Sequence, residues 1–155
     1  MDAKLLTLGF VLEKNKILLG MKKKGLGEGR WNGFGGKVEA GETIEEGMKR
    51  EFFEECGLEV KKVEPVGKIE FSWETKPTVL EVHFFKVIEY NGEPKESEEM
   101  KPQWFEISKI PFEKMWKDDP YWMPLFLAGK KFKGKFLFNE KDEVIKHELK
   151  ETTEF

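Results

Sequence analysis

Over most of this chain, hydrophobic and polar positions alternate with a period of two, and they shift to a helical period in two places. From Leu5 to Leu12, Leu6, Leu8, Phe10 and Leu12 share one face, while Leu5, Thr7, Gly9 and Val11 share the other. This pattern predicts a central strand, with Thr7 and Gly9 leaving room for either a ligand or a closely packed helix. A turn at Glu13–Lys16 leads to a second strand, Ile17–Met21. Glu59–Val66 reads as a strand or extended connection. Lys68–Glu74 then alternates cleanly, placing Ile69, Phe71 and Trp73 on one face. A turn through Pro77 precedes a long strand, Val79–Tyr90, with Leu80, Val82 and Phe84 on one side and the hairpin signal Asn91-Gly92 after it. Gln103–Ile107 is a short strand and Phe112–Trp116 a helical turn. Phe132–Phe138 and Glu143–Glu148 form a hairpin around Asn139–Asp142.

The longer helical segment carries its own boundaries. Thr43 is an N-cap and Glu46, three residues on, completes a capping box. Gly57 followed by Leu58 is a left-handed stop with its hydrophobic contact. The second helix begins at Asp119-Pro120, with Asp119 as the N-cap and Pro at the first helical position, and runs to Ala128 before Gly129. The expected fold is α/β: a mixed sheet between a long helix and a shorter one, an α/β/α sandwich in one domain spanning residues 1–155.

Charge narrows the partners. The chain has 27 basic and 30 acidic residues and a formal net charge of −3. This balance argues against bulk attraction to a nucleic acid polymer or a membrane, and leaves room for a small anionic substrate. The lone Cys56 excludes an internal disulfide and fits a reducing compartment. With no signal-peptide pattern and no apolar run approaching a membrane span, the expectation is a cytoplasmic monomer, compatible with mitochondrial or nuclear pools.

The chemistry concentrates on the long helix. Glu51, Glu54 and Glu55 stand at i, i+3 and i+4, so their carboxylates share a face and repel by a few tenths of a kcal/mol per pair, roughly. A positive group is expected beside them. Clustered carboxylates are hard oxygen ligands of the kind that hold Mg²⁺ beside phosphates, although these three alone describe a solvated acidic face better than a site. The frame around them changes the reading. Gly36, Glu42, Arg50-Glu51, Phe52, Phe53, Glu54-Glu55, Cys56, Gly57 and Leu58, with five residues between the first two and seven before Arg50, resemble the Nudix box at every specified position. That resemblance implies a loop–helix–loop metal site. Glu51, Glu54 and Glu55 would hold the metal and Arg50 would orient one of them. Gly35 and Gly36 would bring backbone carbonyls to the ion, as residues without Cβ permit close approach.

The box alone implies pyrophosphate hydrolysis without naming a substrate. The segments LLGMKKKGLGEGRWNGFGGKV, SEEMKPQWFEISKIPFEKMWKDDPYWMPL and KFKGKFLF lie before the box, after it and near the C-terminus. They resemble the animal oxidised-purine nucleoside triphosphatases, the 8-oxo-dGTP diphosphatases. This narrower resemblance implies that Asn32, Asp118 and Asp119 read a purine edge and that Trp116 stacks on the base. Thr7, Lys22, Phe71, Trp73 and Trp122 would line the pocket, with Phe34, Gly35, Gly36 and Lys37 contributing from the loop. Glu99 would be a further metal- or water-positioning carboxylate, and Mg²⁺ the cofactor, with Mn²⁺ as a substitute. Read from local chemistry instead, Asn32 is a turn former before Gly33, the lysines at 22–24 are a solvated charge run, and residues 96–99 are a solvated acidic loop. Three departures bear on base preference: Leu26 at a customary aromatic, Trp73 at a customary Phe, and Lys117 at a customary Pro. The alternatives are the same hydrolysis on another nucleotide derivative, or a non-catalytic nucleotide- or RNA-binding module. A silent module would be marked by a lost carboxylate in the helix; all three are present.

Overall fold

The computed structural model describes residues 2–155 and joins the alternating segments into one mixed sheet of eight strands. In chain order the elements are β1 (Asp2–Glu13), β2 (Lys16–Lys22), β3 (Trp31–Asn32), α1 (Ile44–Cys56), β4 (Glu59–Trp73), β5 (Lys76–Asn91), β6 (Met100–Glu106), α2 (Asp119–Leu127), β7 (Phe132–Phe138) and β8 (Val144–Glu151). The spatial order is β3-β2-β1-β5-β4-β7-β8, with β6 also pairing β2. The pairs β1–β5 and β4–β7 run parallel and the remainder antiparallel. No helix among the described residues is long and apolar enough to cross a membrane.

Each face of the sheet has its helix, as expected. Met48, Phe52 and Cys56 recur one turn apart on α1 and are fully buried in one core with Val11, Leu18, Phe34, Phe85 and Val87. The opposite core gathers Phe10, Ile69, Phe71, Trp73, Phe84, Phe132 and Phe136 under Trp122, Met123 and Phe126 of α2. Both ends of α1 follow the sequence. Thr43 Oγ1 accepts the Glu46 N–H at 3.1 Å, the Thr43 N–H reaches Glu46 Oε1 at 2.8 Å, and Gly57 turns left-handed at φ +76°. The space beside Gly9 belongs to this helix, since an added Cβ would stand 2.5 Å from Met48 Cε.

A splay between two strands positions the site. β1 pairs with β2 only from Val11 to Glu13. Beyond that point the segment 33–38 takes the place of β2 beside β1. Gly9 and Phe34 exchange N–H···O bonds of 2.7 and 3.0 Å, and the Thr7 N–H reaches the Gly36 carbonyl at 2.9 Å. The loop that enters α1 is therefore stitched to the central strand, with backbone donors satisfied by backbone acceptors.

Three expectations need correction. Glu59–Trp73 is one continuous strand; bulges around Val60–Val63 and at Pro65/Gly67 break its alternation, and Pro65, which has no N–H, sits at one of them. Asn91-Gly92 ends β5 without making a hairpin, because β6 crosses over to pair with β2. Asp119 is not an N-cap. Helix α2 takes Asp118 at that position with αR geometry, and no side-chain capping bond forms.

Candidate active site

Two chemically different halves meet where the loop 33–37, the last turns of α1 and the end of β2 converge. The first half is acidic. Glu55, in the last turn of α1, is only 4% exposed. Its Oε1 accepts the Gly35 N–H at 2.9 Å, and its Oε2 lies 3.8 Å from Lys22 Nζ, which also reaches Glu99 Oε2 at 3.5 Å. Burial lifts the Glu55 carboxyl to about 8, against the opposing pull of the Gly35 N–H and Lys22. Burial also raises Glu51, with Arg50 opposing, and the charge of Glu99 acts on both residues.

The expected positive group is Arg50. Its Nε and Nη2 grip Glu42 at 2.6 and 2.9 Å, and Nη1 reaches Glu51 at 2.9 Å and Glu54 at 3.3 Å. Nη2 also donates to the Lys37 carbonyl at 3.0 Å, tying the loop to the helix. The two-pronged grip holds the Glu42 carboxyl down at about 2. Against this frame the carboxylates spread out: Glu54 stays half-exposed beside Arg50, and among the described residues no three acids converge as a preassembled metal cluster.

The donors suit a hard divalent cation. Carboxylates of Glu51 and Glu55 face a glycine loop at which a Cβ on Gly36 would stand 2.5 Å from Glu51 Oε2 and a Cβ on Gly35 would collide with the Thr7 carbonyl, and Glu99 joins them through Lys22. These are all oxygen donors, and the buried charge on Glu55 lacks full compensation from the protein. The two glycine carbonyls differ. That of Gly36 already accepts the Thr7 N–H at 2.9 Å and the Thr7 hydroxyl at 3.4 Å, which leaves the Gly35 carbonyl the less committed of the two.

The second half is an apolar cavity of about 240 Å³ that opens toward Glu55 and Lys22. Its walls include Thr7, Asn32, Phe71, Trp73, Trp116, Asp118 and Asp119, all expected, together with Leu6, Leu8, Leu80, Val82 and Phe138, which were not. The missed residues are alternate positions of β1, β5 and β7; their period marked them as core, and nothing in it separates core from cavity wall. Three expected pocket residues lie elsewhere. Phe34 is fully buried on the α1 side, its ring 5.1 Å from Phe52. Lys37 has an exposed side chain and contributes its backbone carbonyl to Arg50. Trp122 is 0% exposed and sits behind the cavity, donating its indole N–H to Asp118 Oδ2 at 2.8 Å.

Asp118 and Asp119 are 3% and 2% exposed at the apolar end of the cavity. Burial raises both, Asp118 to about 6 and Asp119 further, the negative charge of its neighbour adding to its burial. Asp119 Oδ2 receives no donor from any other residue, which leaves the neighbouring Asp118 carboxyl, when one of the two is protonated, as its partner. Asn32 spends its carbonyl oxygen on the Gly33 N–H at 2.8 Å, as a turn former does, which leaves the amide Nδ2 as a donor on the cavity wall.

A profile described as NUDIX domain matches residues 5–126. The chain is 50% identical over 153 residues to the oxidized purine nucleoside triphosphate hydrolase of Mus musculus, covering 99% of this chain and 98% of that protein. It is likewise 50% identical over 149 residues to the protein of that description in Danio rerio, covering 96% of each. Among solved structures, the Mutator MutT protein of Bacillus halodurans superposes with a TM-score of 0.81 at 29% identity, covering 94% of this chain and 97% of that one.

Proposed function

This chain belongs to the NUDIX-domain family, and on that premise we propose that it hydrolyses oxidised purine (deoxy)nucleoside triphosphates, such as 8-oxo-dGTP and 2-hydroxy-dATP, to the monophosphate and pyrophosphate, clearing them from the nucleotide pool. The observation that carries the reading is the Asp118–Asp119 carboxyl pair, buried in the wall of an aromatic cavity that Glu55 also lines, with Asp119 Oδ2 receiving no donor from any other residue. An orphaned buried polar atom costs about 1–3 kcal/mol, a cost that a purine edge entering the cavity would relieve.

In this reading the base enters between Trp116 and the apolar wall. Asp119 and Asp118 meet its donor–acceptor edge, and the Asn32 amide donates to it. The oligophosphate extends past Lys22 toward the acidic half. Hydrolases of this family require a divalent metal ion; here it would be Mg²⁺, with Mn²⁺ as a substitute, and Glu51, Glu54, Glu55, Glu99 and the Gly35 carbonyl are the groups that would hold it. Such an ion supplies neutralisation of the oligophosphate and polarisation of its phosphoryl oxygens. Arg50 fixes Glu51 against the loop, and Lys22 draws Glu55 and Glu99 toward one point. The proton of the attacking water passes to a carboxylate of this half, Glu55 or Glu99. The chain acts as a monomer and a single domain.

Binding of the base separates from chemistry in a simple experiment. Calorimetry with the monophosphate of an oxidised purine, in metal-free buffer, reads the cavity alone. Asn32→Ala should weaken that binding by about 1–3 kcal/mol. Unchanged affinity in the folded variant would return Asn32 to its turn with Gly33.

A further inference from the structure

Two indoles, those of Trp73 and Trp116, wall the cavity and meet edge to face, their ring centroids 6.2 Å apart at 77°. A carboxylate outside the cavity reaches both. Asp142 Oδ1 accepts the Trp73 indole N–H at 2.8 Å, and Oδ2 accepts from Arg30 Nη2 at 3.1 Å. The Arg30 guanidinium in turn lies over Trp116, its Cζ 4.2 Å from the ring centroid. Lys76 covers the ring of Trp73, its Nζ 4.5 Å from the centroid.

The turn that presents Asp142 is built to hold it. Asn139 Oδ1 accepts the N–H groups of Lys141 and Glu143 at 2.9 and 3.0 Å, and Asp142 itself sits in the left-handed region at φ 58°. Few residue types occupy that region without strain, and Asp and Asn are among those that do. The β7–β8 turn is thereby linked to the 22–30 loop, two elements far apart in sequence that frame one cavity. Arg30 and Asp142 are both partly buried, so solvent screens their pairing less than it would a surface ion pair.

We propose that Asp142 is a specificity-determining positioning residue: its carboxylate fixes Trp73 directly and Trp116 through Arg30, and so sets the separation of the two rings that receive the base. This rests on the oxidised-purine reading of the cavity. Released from Asp142, Trp73 loses the partner of its N–H and Arg30 its anchor over Trp116, so both rings gain freedom that substrate binding must remove. The effect falls on binding and on discrimination between bases, since Asp142 touches neither phosphate nor carboxylate half.

The test compares wild type, Asp142→Asn, Asp142→Ala and Trp73→Phe on oxidised and unmodified purine triphosphates, with near-ultraviolet circular dichroism of each protein free of nucleotide. Asp142→Asn keeps the backbone conformation and an acceptor for Trp73 but gives up the charge facing Arg30. Its KM for the oxidised substrate should rise about threefold, against about tenfold for Asp142→Ala, with kcat changed less than about twofold and the preference for the oxidised base reduced. Asp142→Ala should also alter the near-ultraviolet signal of the indole pair, and much of that alteration should disappear in the Trp73→Phe background. Wild-type KM, base preference and dichroism in both Asp142 variants would overturn the proposal, as would a loss carried equally in kcat for every base. A wild-type enzyme that fails to prefer oxidised purines would overturn the substrate reading instead, while the dichroism of the variants still reports whether Asp142 holds the rings.

Discussion

Glu55→Gln is expected to lower turnover by about 100-fold or more at saturating metal, while raising the melting temperature of the metal-free protein. Both effects have one cause. The carboxylate is buried to 4% exposure where only the Gly35 N–H and a distant Lys22 compensate it. Its folded pKa is raised, so the stability it contributes is complete below the unfolded value of 4.5 and is lost as pH rises toward about 8. A neutral amide of the same shape escapes that loss and leaves Lys22 its partner in Glu99. Thermal melts of metal-free protein between pH 5 and 8 should therefore fall more steeply for wild type than for Glu55→Gln. Glu54→Gln, at a half-exposed position beside Arg50, should cost the least of the acidic substitutions. Near wild-type kcat in Glu55→Gln would remove this residue from the reaction.

Asp119→Asn should change which base the enzyme prefers, with kcat/KM for oxidised guanine nucleotides falling on the order of 10–100-fold. Neither acid caps α2, so the substitution leaves the helix end undisturbed. Two adjacent carboxyls at 3% and 2% exposure resist both being charged. Asp118 receives the Trp122 N–H, which favours its ionised form, while burial and the neighbouring charge favour the proton on Asp119. One acid would then donate to the base and its neighbour accept, and exchange of the proton between them would let one cavity take both guanine- and adenine-derived oxidised bases. The pair titrates as a unit, so its proton is lost as pH rises through the raised upper step. Affinity for oxidised guanine nucleotides should be greatest between the two steps of the pair and fall over the upper rise. Stability moves in the same direction: the folded pKa values are raised, so the pair's contribution is complete below 3.8 and is lost as pH rises. Asp119→Asn should accordingly melt higher than wild type at pH 8 and by a smaller margin at pH 5. An unchanged base ranking in both Asp118→Asn and Asp119→Asn, with affinity independent of pH, would leave these acids without a part in recognition.

What could be read from sequence depended on how local the determinant was. The caps of α1 are short-range hydrogen bonds between a Thr, a Glu three residues on and a Gly, and both stand as expected. Helix spacing brings Arg50 to Glu54 one turn on, whereas Gly36 and Glu42 lie before α1 and were placed by the resemblance of the whole frame. Long-range pairing was less accessible. Asn91-Gly92 has the chemistry of a hairpin, yet β6 finds its partner in β2, and no local signal carries that choice. The bulges of β4 hid one strand as two. Asp119-Pro120 reads as a cap and start of a helix, but Asp118 takes the cap position and both carboxyls turn to the cavity wall, where neither makes a capping bond. Phe34 and Trp122 were expected in the pocket from the resemblance to the oxidised-purine nucleoside triphosphatases. Their own side chains pack into the two cores and support the walls from behind. Asp142 drew attention only as part of a turn, because its role depends on Arg30 and Trp73 arriving from distant segments.

The central claim is that one cavity selects the oxidised purine and the adjoining carboxylates hydrolyse its triphosphate. The most direct test is release of inorganic pyrophosphate across a panel of oxidised and unmodified purine and pyrimidine triphosphates, nucleotide sugars and dinucleotide polyphosphates, each with Mg²⁺ and with chelator. Pyrophosphate and nucleoside monophosphate should form from oxidised purine triphosphates at the highest kcat/KM, with no turnover in chelator. Higher kcat/KM on a nucleotide sugar or dinucleotide polyphosphate, or tight binding of oxidised purines with no pyrophosphate released in Mg²⁺, would contradict it.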